Sequence, residues 1–177
     1  MTLLTVRGAL RRAALVALLG FSSLSSGENV LVGKVVKVAD GDTLTVLDAS
    51  KRQRKVRLRD IDAPEKGQAF GKRSRQSLAA MCAGVTVSVE WREKDRYGRL
   101  IGDVTCGAFR ANEEQVNRGM AGVFRRYASP TSAMYPMEAE AKRRRAGLWS
   151  DAHPVPPWDW RARKRASRAG NSTSQAR

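Results

Sequence analysis

Val30-Leu31-Val32-Gly33-Lys34-Val35-Val36-Lys37-Val38-Ala39-Asp40-Gly41-Asp42-Thr43-Leu44-Thr45-Val46-Leu47 is rich in β-branched residues that alternate with polar ones, and only Ala39-Asp40-Gly41-Asp42 breaks the run. A two-residue side-chain period belongs to a strand, and Asp-Gly is a dipeptide that tight hairpins favour. The stretch therefore reads as two antiparallel strands joined at Asp-Gly.

Outward from this hairpin, Lys55 to Ile61 reads as a third strand. Val56 and Leu58, with Asp60 next in line, fall on one face, and Arg57 and Arg59 project from the other. Gln68 to Cys82 carries Phe70, Leu78, Ala79, Met81 and Cys82 among basic residues and closes at Gly84, as a helix with a glycine stop does. Val85 to Trp91 alternates again, Asp95-Arg96-Tyr97-Gly98 is a turn, and Arg99 to Thr105 returns as a strand. Asn112 is placed to cap a short helix from Glu113 to Arg118, stopped by Gly119. Thr131 or Ser132 opens a last helix to Arg145 that ends at Gly147. Five short strands and three α-helices in this order suit a small closed barrel of the OB type, mainly β, because closure leaves no strand edge to protect. A split α+β sandwich fits the same order.

The 177 residues hold 33 Lys+Arg against 17 Asp+Glu, a formal net charge of +16, and their 42% hydrophobic content suffices for one core. A surface of that sign attracts polyanions, whether nucleic acid, anionic membrane or acidic protein. Arg7, Arg11 and Arg12 precede the apolar run Ala13 to Phe21 and the small, polar Ser22 to Gly27. That is the layout of an export signal over residues 1–26, with cleavage after Ser25 or Gly27, and it predicts a secreted or periplasmic protein. The apolar run is shorter than the roughly 18 residues a retained membrane span needs. Losing the segment removes three arginines and no acid and leaves about +13 of the +16. The folded domain is expected over residues 29–150. From Asp151 onward, His153-Pro154-Val155-Pro156-Pro157 and the basic, Ser-rich end offer little apolar surface, so residues 151–177 read as a flexible tail. Trp158-Asp159-Trp160-Arg161 is expected to pack on the barrel rather than to stack on a nucleotide, and Arg163, Lys164, Arg165 and Arg168 offer nonspecific phosphate contacts.

Elimination narrows the chemistry. His153, the one histidine, sits in the proline-rich stretch, so Ser-His-Asp and Cys-His catalysis have no base. Two cysteines and one histidine do not make an ordinary zinc site, and Gly67 to Lys72 lacks the Gly-Lys-Ser/Thr ending of a phosphate loop. What remains is carboxylates beside arginines: Asp40 and Asp42 in a turn, and Asp60, Asp62 and Glu65 at the end of the third strand, where Pro64 turns the chain. Oxygen-only ligands of this kind suit a hard cation such as Ca²⁺ or Mg²⁺.

Ala39-Asp40-Gly41-Asp42-Thr43, Val56-Arg57-Leu58-Arg59-Asp60-Ile61-Asp62-Ala63-Pro64-Glu65 and Asp95-Arg96-Tyr97-Gly98-Arg99, closing on Ala146-Gly147-Leu148-Trp149, closely resemble the staphylococcal nuclease family in order and spacing. The resemblance runs from about Val32 to Trp149 and implies an OB-fold barrel and Ca²⁺-dependent hydrolysis of DNA and RNA, with the 5′-oxygen leaving and 3′-phosphates as products. By motif position it makes Asp42 and Asp62 the Ca²⁺ carboxylates, Ala63 the carbonyl ligand and Asp40 an outer partner. Glu65 matches the residue that orients or deprotonates the attacking water, and Arg57 and Arg99 match the pair that grips the phosphate. The chemistry agrees, since a guanidinium fork binds two phosphate oxygens at once and offsets charge that grows in the transition state. Family members often place two tyrosines around the nucleotide after the short helix. Phe124-Arg125-Arg126-Tyr127 offers only Tyr127, with Arg125 at the other place, so Arg125, Tyr127 and Arg96 stand as candidate nucleotide contacts.

The rival readings are a non-catalytic OB module that binds single strands, which would lack the carboxylates, and a secreted basic factor for anionic polymers. A monomer is expected. Cys82 and Cys106 are expected to form one disulfide, because an exported chain meets oxidising conditions and two cysteines allow one pairing. Cys82 ends the first helix just before one strand and Cys106 ends the strand that returns beside it.

Overall fold

The structure, a computed structural model, describes residues 29–174. The expected export signal lies outside the described residues. In chain order the elements are β1 (Asn29–Val38), β2 (Thr43–Asp48), β3 (Gln53–Leu58), β4 (Ile61–Asp62), α1 (Gly71–Cys82), β5 (Thr86–Lys94) and β6 (Leu100–Cys106). There follow β7 (Phe109–Arg110), α2 (Ala111–Asn117), β8 (Gly122–Val123), α3 (Met134–Arg143), a short 3-10 turn (Gly147–Ser150) and α4 (Pro157–Ser174).

The β1–β2 hairpin forms as expected, with Val38 opposite Leu44 across the Asp40-Gly41 turn. The sheet runs β3-β2-β1-β5-β6, and a parallel seam between β3 and β6 closes it into a five-stranded barrel of the OB type. Inward-facing residues alternate along the strands as the two-residue period requires: Leu44, Val46, Val56, Leu58, Val87, Val89 and Val104 are each 0–1% exposed. Burial of each such side chain is worth about 1.5–3 kcal/mol against leaving it in water. Leu78 of α1 and Val116 of α2 close the barrel's mouth on the same core.

Several boundaries differ from the sequence reading. The third strand does not run to Ile61. Asp60 takes a left-handed backbone, φ 63°, after Leu58, and β4 leaves the barrel to pair with β8, Asp62 opposite Gly122. Helix α1 begins at Gly71 rather than Gln68, because successive turns, Gln68 N–H to the Glu65 carbonyl and Gly71 N–H to the Gln68 carbonyl, occupy the intervening residues. Asn112 is not a cap. It is buried inside α2, where its amide donates to the carbonyls of Arg59 and Gly102 and its oxygen accepts from Val104 N–H, pinning the helix to the barrel.

The largest difference is a fourth helix. Residues Pro157–Ser174, read as part of a flexible tail, form α4, and two indoles seat it. Trp158 stacks on Phe124 with ring centroids 5.8 Å apart and lies against Gly122, where even a Cβ would come within 3.0 Å of the indole. Trp160 rests near Gly67, and Gln68 Nε2 donates to the Val155 carbonyl at 2.7 Å. Packing is the role expected for these tryptophans; what the low apolar content concealed is that two of them suffice. Among the described residues, no helix is long and apolar enough to cross a membrane.

Candidate active site

Three backbone features gather the carboxylates at one end of the barrel. The β1–β2 turn carries Asp42, and the Asp60 reversal followed by β4 delivers Asp62 beside it. Pro64 follows, and Glu65 comes beside Asp62, the two side chains sharing one arginine partner. The tie between Asp42 and Asp62 is Arg57, projecting from β3: its Nη1 donates to Asp42 Oδ1 and its Nη2 to Asp62 Oδ1, each at 2.9 Å. Asp42 is 3% exposed and Asp62 0%, whereas the Glu65 side chain is 40% exposed and open to water.

Asp42 is further held by Thr43 Oγ1, which donates to Oδ1 at 2.8 Å, and by the Ala63 N–H, which donates to Oδ2 at 2.9 Å. Burial nevertheless pushes its carboxyl up to about 6; Arg57 opposes the rise and the neighbouring charge of Asp40 adds to it. Burial works against the Arg57 charge too, but Asp42 and Asp62 outweigh it and raise the pKa. Asp40 stands one bond outward, its Oδ1 accepting the Asp42 N–H at 3.1 Å. Asp60 faces Arg59 instead of the cluster.

Arg99 is not in contact with these carboxylates. It sits at the start of β6, whose parallel seam puts Ile101 opposite Arg57, and there its Nε donates to Asp95 Oδ2 at 2.7 Å within its own turn. Tyr97, read from the sequence only as a turn residue, is 67% exposed and lies under both Arg96 and Arg99. Arg125 is spent on Glu138 Oε2 and on the face of Tyr135, while Tyr127 is 68% exposed with its edge toward Phe124. Arg161 of α4 is read from the sequence only as part of the segment that packs on the barrel, and its place in the site was missed. Its Nη1 donates to Asp62 Oδ1 and to Glu65 Oε1, both at 2.9 Å, and its Nη2 to Asp62 Oδ2. The available signal was the pair of tryptophans in an otherwise polar tail, which marks a docking point and hence the next side chain.

Among the described residues no three ligating side chains form a ready-made metal cage. Asp42 and Asp62, both buried and tied by one guanidinium, are an all-oxygen donor pair, and oxygen donors of this kind fit a hard divalent cation. A separate concavity lined by Arg59, Asp60, Glu90, Asp103, Arg110 and Glu113 shares none of these groups, and its arginines are already paired, Arg59 with Asp103 and Arg110 with Glu113.

The family model for staphylococcal nuclease homologues matches residues 55–151, the span that holds Arg57, Asp62, Glu65 and Arg99. A protein named micrococcal nuclease from Shigella flexneri is 46% identical over 139 residues, which cover 73% of this chain and 79% of that protein. A protein named ParB from Escherichia coli is 45% identical over 164 residues, 86% of this chain and 90% of its own length. An uncharacterized endonuclease of Escherichia coli O157:H7 is 45% identical over 134 residues, 75% and 86% respectively. With the model spanning over half of the chain and relatives of this identity aligned along most of their length, the chain belongs to the family of staphylococcal nuclease homologues.

Proposed function

We propose that this chain is a calcium-dependent nuclease that hydrolyses phosphodiester bonds in DNA and RNA and leaves 3′-phosphates. The observation that carries the reading is the pair of buried carboxylates, Asp42 and Asp62, bridged by the single guanidinium of Arg57 with the half-exposed Glu65 beside them. Asp42, Asp62 and the Ala63 carbonyl would hold the cation, which when bound supplies positive charge against the phosphate. Arg57, which holds Asp42 and Asp62 with one N–H from each Nη, turns its remaining N–H groups to the non-bridging oxygens and offsets charge that grows as the phosphorus becomes five-coordinate. Arg99 reaches the same phosphate by exchanging its bond to Asp95. Glu65, on the wet rim, takes a proton from a water as its oxygen bonds to phosphorus in line with the 5′-oxygen; the bond to that oxygen breaks and solvent protonates it. The names of the relatives, a micrococcal nuclease and an endonuclease, support the same class of reaction.

A gel assay on DNA and RNA with Ca²⁺, Mg²⁺ or EDTA tests the reading. Cleavage is expected with Ca²⁺ and is expected to stop in EDTA; DNA that is retarded but intact under every condition would favour a non-catalytic OB module. Glu65→Gln should lower the single-turnover rate by roughly 100-fold or more while leaving DNA affinity nearly unchanged. Equal rates would remove Glu65 from the mechanism. We also infer export to a periplasm or the medium, a reading supported by the bonded Cys82 and Cys106, since such bonds persist in oxidising compartments.

A further inference from the structure

We propose that Arg161 occupies the cation's place on Asp62 and ties up Glu65 beside it, so that α4 sets the affinity of the site for its divalent ion. The inference rests on the divalent-ion reading above. Asp62 Oδ1 accepts from both Arg57 Nη2 and Arg161 Nη1, and Oδ2 accepts from Arg161 Nη2. Two donors fill the two in-plane lone pairs of Oδ1, so that oxygen has none left for a cation while both guanidinia stay. One fork thus covers three oxygens, two of Asp62 and one of Glu65, and a divalent ion arriving there meets a fixed positive charge as well as occupied lone pairs.

Of the two guanidinia, Arg161 is the one able to yield. Arg57 belongs to a barrel strand and is anchored to Asp42 as well. Arg161 belongs to a helix outside the barrel, seated by Trp158 on Phe124 and Gly122, by Trp160 near Gly67 and by the Gln68 bond to Val155. None of these is a strand pairing, so Arg161 withdraws without opening the sheet. Its contact has a purpose in the ion-free protein: the wholly buried Asp62 side chain needs hydrogen-bond partners on both oxygens, and Arg161 supplies the one on Oδ2 that Arg57 does not reach. The match to the family model ends at residue 151, so Arg161 lies outside the matched span.

The test is calorimetric titration of the chelator-stripped full chain with CaCl₂, with thermal melts to verify folding. Arg161→Gln should tighten the Ca²⁺ dissociation constant by roughly tenfold, the equivalent of one freed ion pair. Arg163→Gln removes the same charge from an exposed position two residues on and should change it by less than about threefold. Trp160→Ala, which keeps Arg161 but loosens its helix, should also tighten binding. Equal, measurable constants for wild type and Arg161→Gln, or equal tightening by Arg163→Gln, would overturn the inference and leave the divalent-ion reading standing. Absence of Ca²⁺ binding in every variant would overturn both.

Discussion

Asp42 shows how one buried carboxylate couples the site to the stability of the fold. Its carboxyl is pushed from 3.8 to about 6, first by burial, against the pull of Arg57. The folded chain therefore holds a proton on Asp42 between about pH 4 and 6 that the unfolded chain has released, and stability falls as pH rises through that window. Asparagine at this position does not ionise. In the presence of chelator, the unfolding free energy of Asp42→Asn relative to wild type should rise from pH 4 to pH 7 by up to roughly 3 kcal/mol and then level off. Urea unfolding at several pH values measures this, and a difference that is flat with pH would show that Asp42 is not the strained group. A cation bound as proposed would remove the cost that leaves Asp42 reluctant to ionise.

At the scale of elements, the site depends on a lock between the β1–β2 turn and two helices. Gln115 of α2, fully buried, donates from Nε2 to the Gly41 carbonyl at 2.6 Å and to the Ser74 carbonyl of α1 at 3.1 Å. Ser74 Oγ donates to the Met120 carbonyl at 2.6 Å, and a Cβ on Gly41 would stand 1.7 Å from that hydroxyl, so the turn closes only on glycine. Gln115→Ala leaves buried carbonyls without donors and a cavity behind. It should cost about 2–4 kcal/mol in urea unfolding and weaken Ca²⁺ binding through the loosened Asp42 turn. A stability change under about 0.5 kcal/mol would refute the lock. This lock also marks what sequence reading reaches. The hairpin, Arg57 on the outward face of β3 and the carboxylates at its end were legible, because strand period and turn chemistry are local properties. Gln115 and Arg161 were not, because each acts on residues 41 or more positions away and their partners are brought to them by the fold. Asn112 was misread for the same reason: its sequence neighbours suggest a cap, and only the barrel wall supplies the Arg59 and Gly102 carbonyls it binds. Helix α4 was concealed because its docking uses two indoles and flat glycine surfaces rather than an apolar stripe.

Over the whole molecule, charge and covalent linkage are divided between the two ends of the fold. The net +16 is a surplus of cations over acids, and α4 carries Arg161, Arg163, Lys164, Arg165 and Arg168, of which Arg161 is bonded to the acids of the site. The covalent link lies elsewhere. Cys82, the last residue of α1, is bonded to Cys106, the last residue of β6, with Cα atoms 5.2 Å apart; both are buried. The link closes a loop that contains all of β5 and β6 across a separation of 24 residues. In the chain-entropy view, removing it frees the unfolded chain and costs about 3 kcal/mol. The other end of α1, where Ser74 and Gln115 hold the Gly41 turn that carries Asp42, lies about two helical turns from Cys82, so a local change at the sulfurs does not touch the carboxylates directly. The Cys82→Ala, Cys106→Ala double variant should therefore lose about 3 kcal/mol in urea unfolding while its Ca²⁺ dissociation constant stays within about twofold of wild type. Unchanged stability would show that the link constrains little. A Ca²⁺ affinity that fell together with stability would show instead that α1 transmits the sulfur linkage to the site, and that the two ends of the molecule work as one unit.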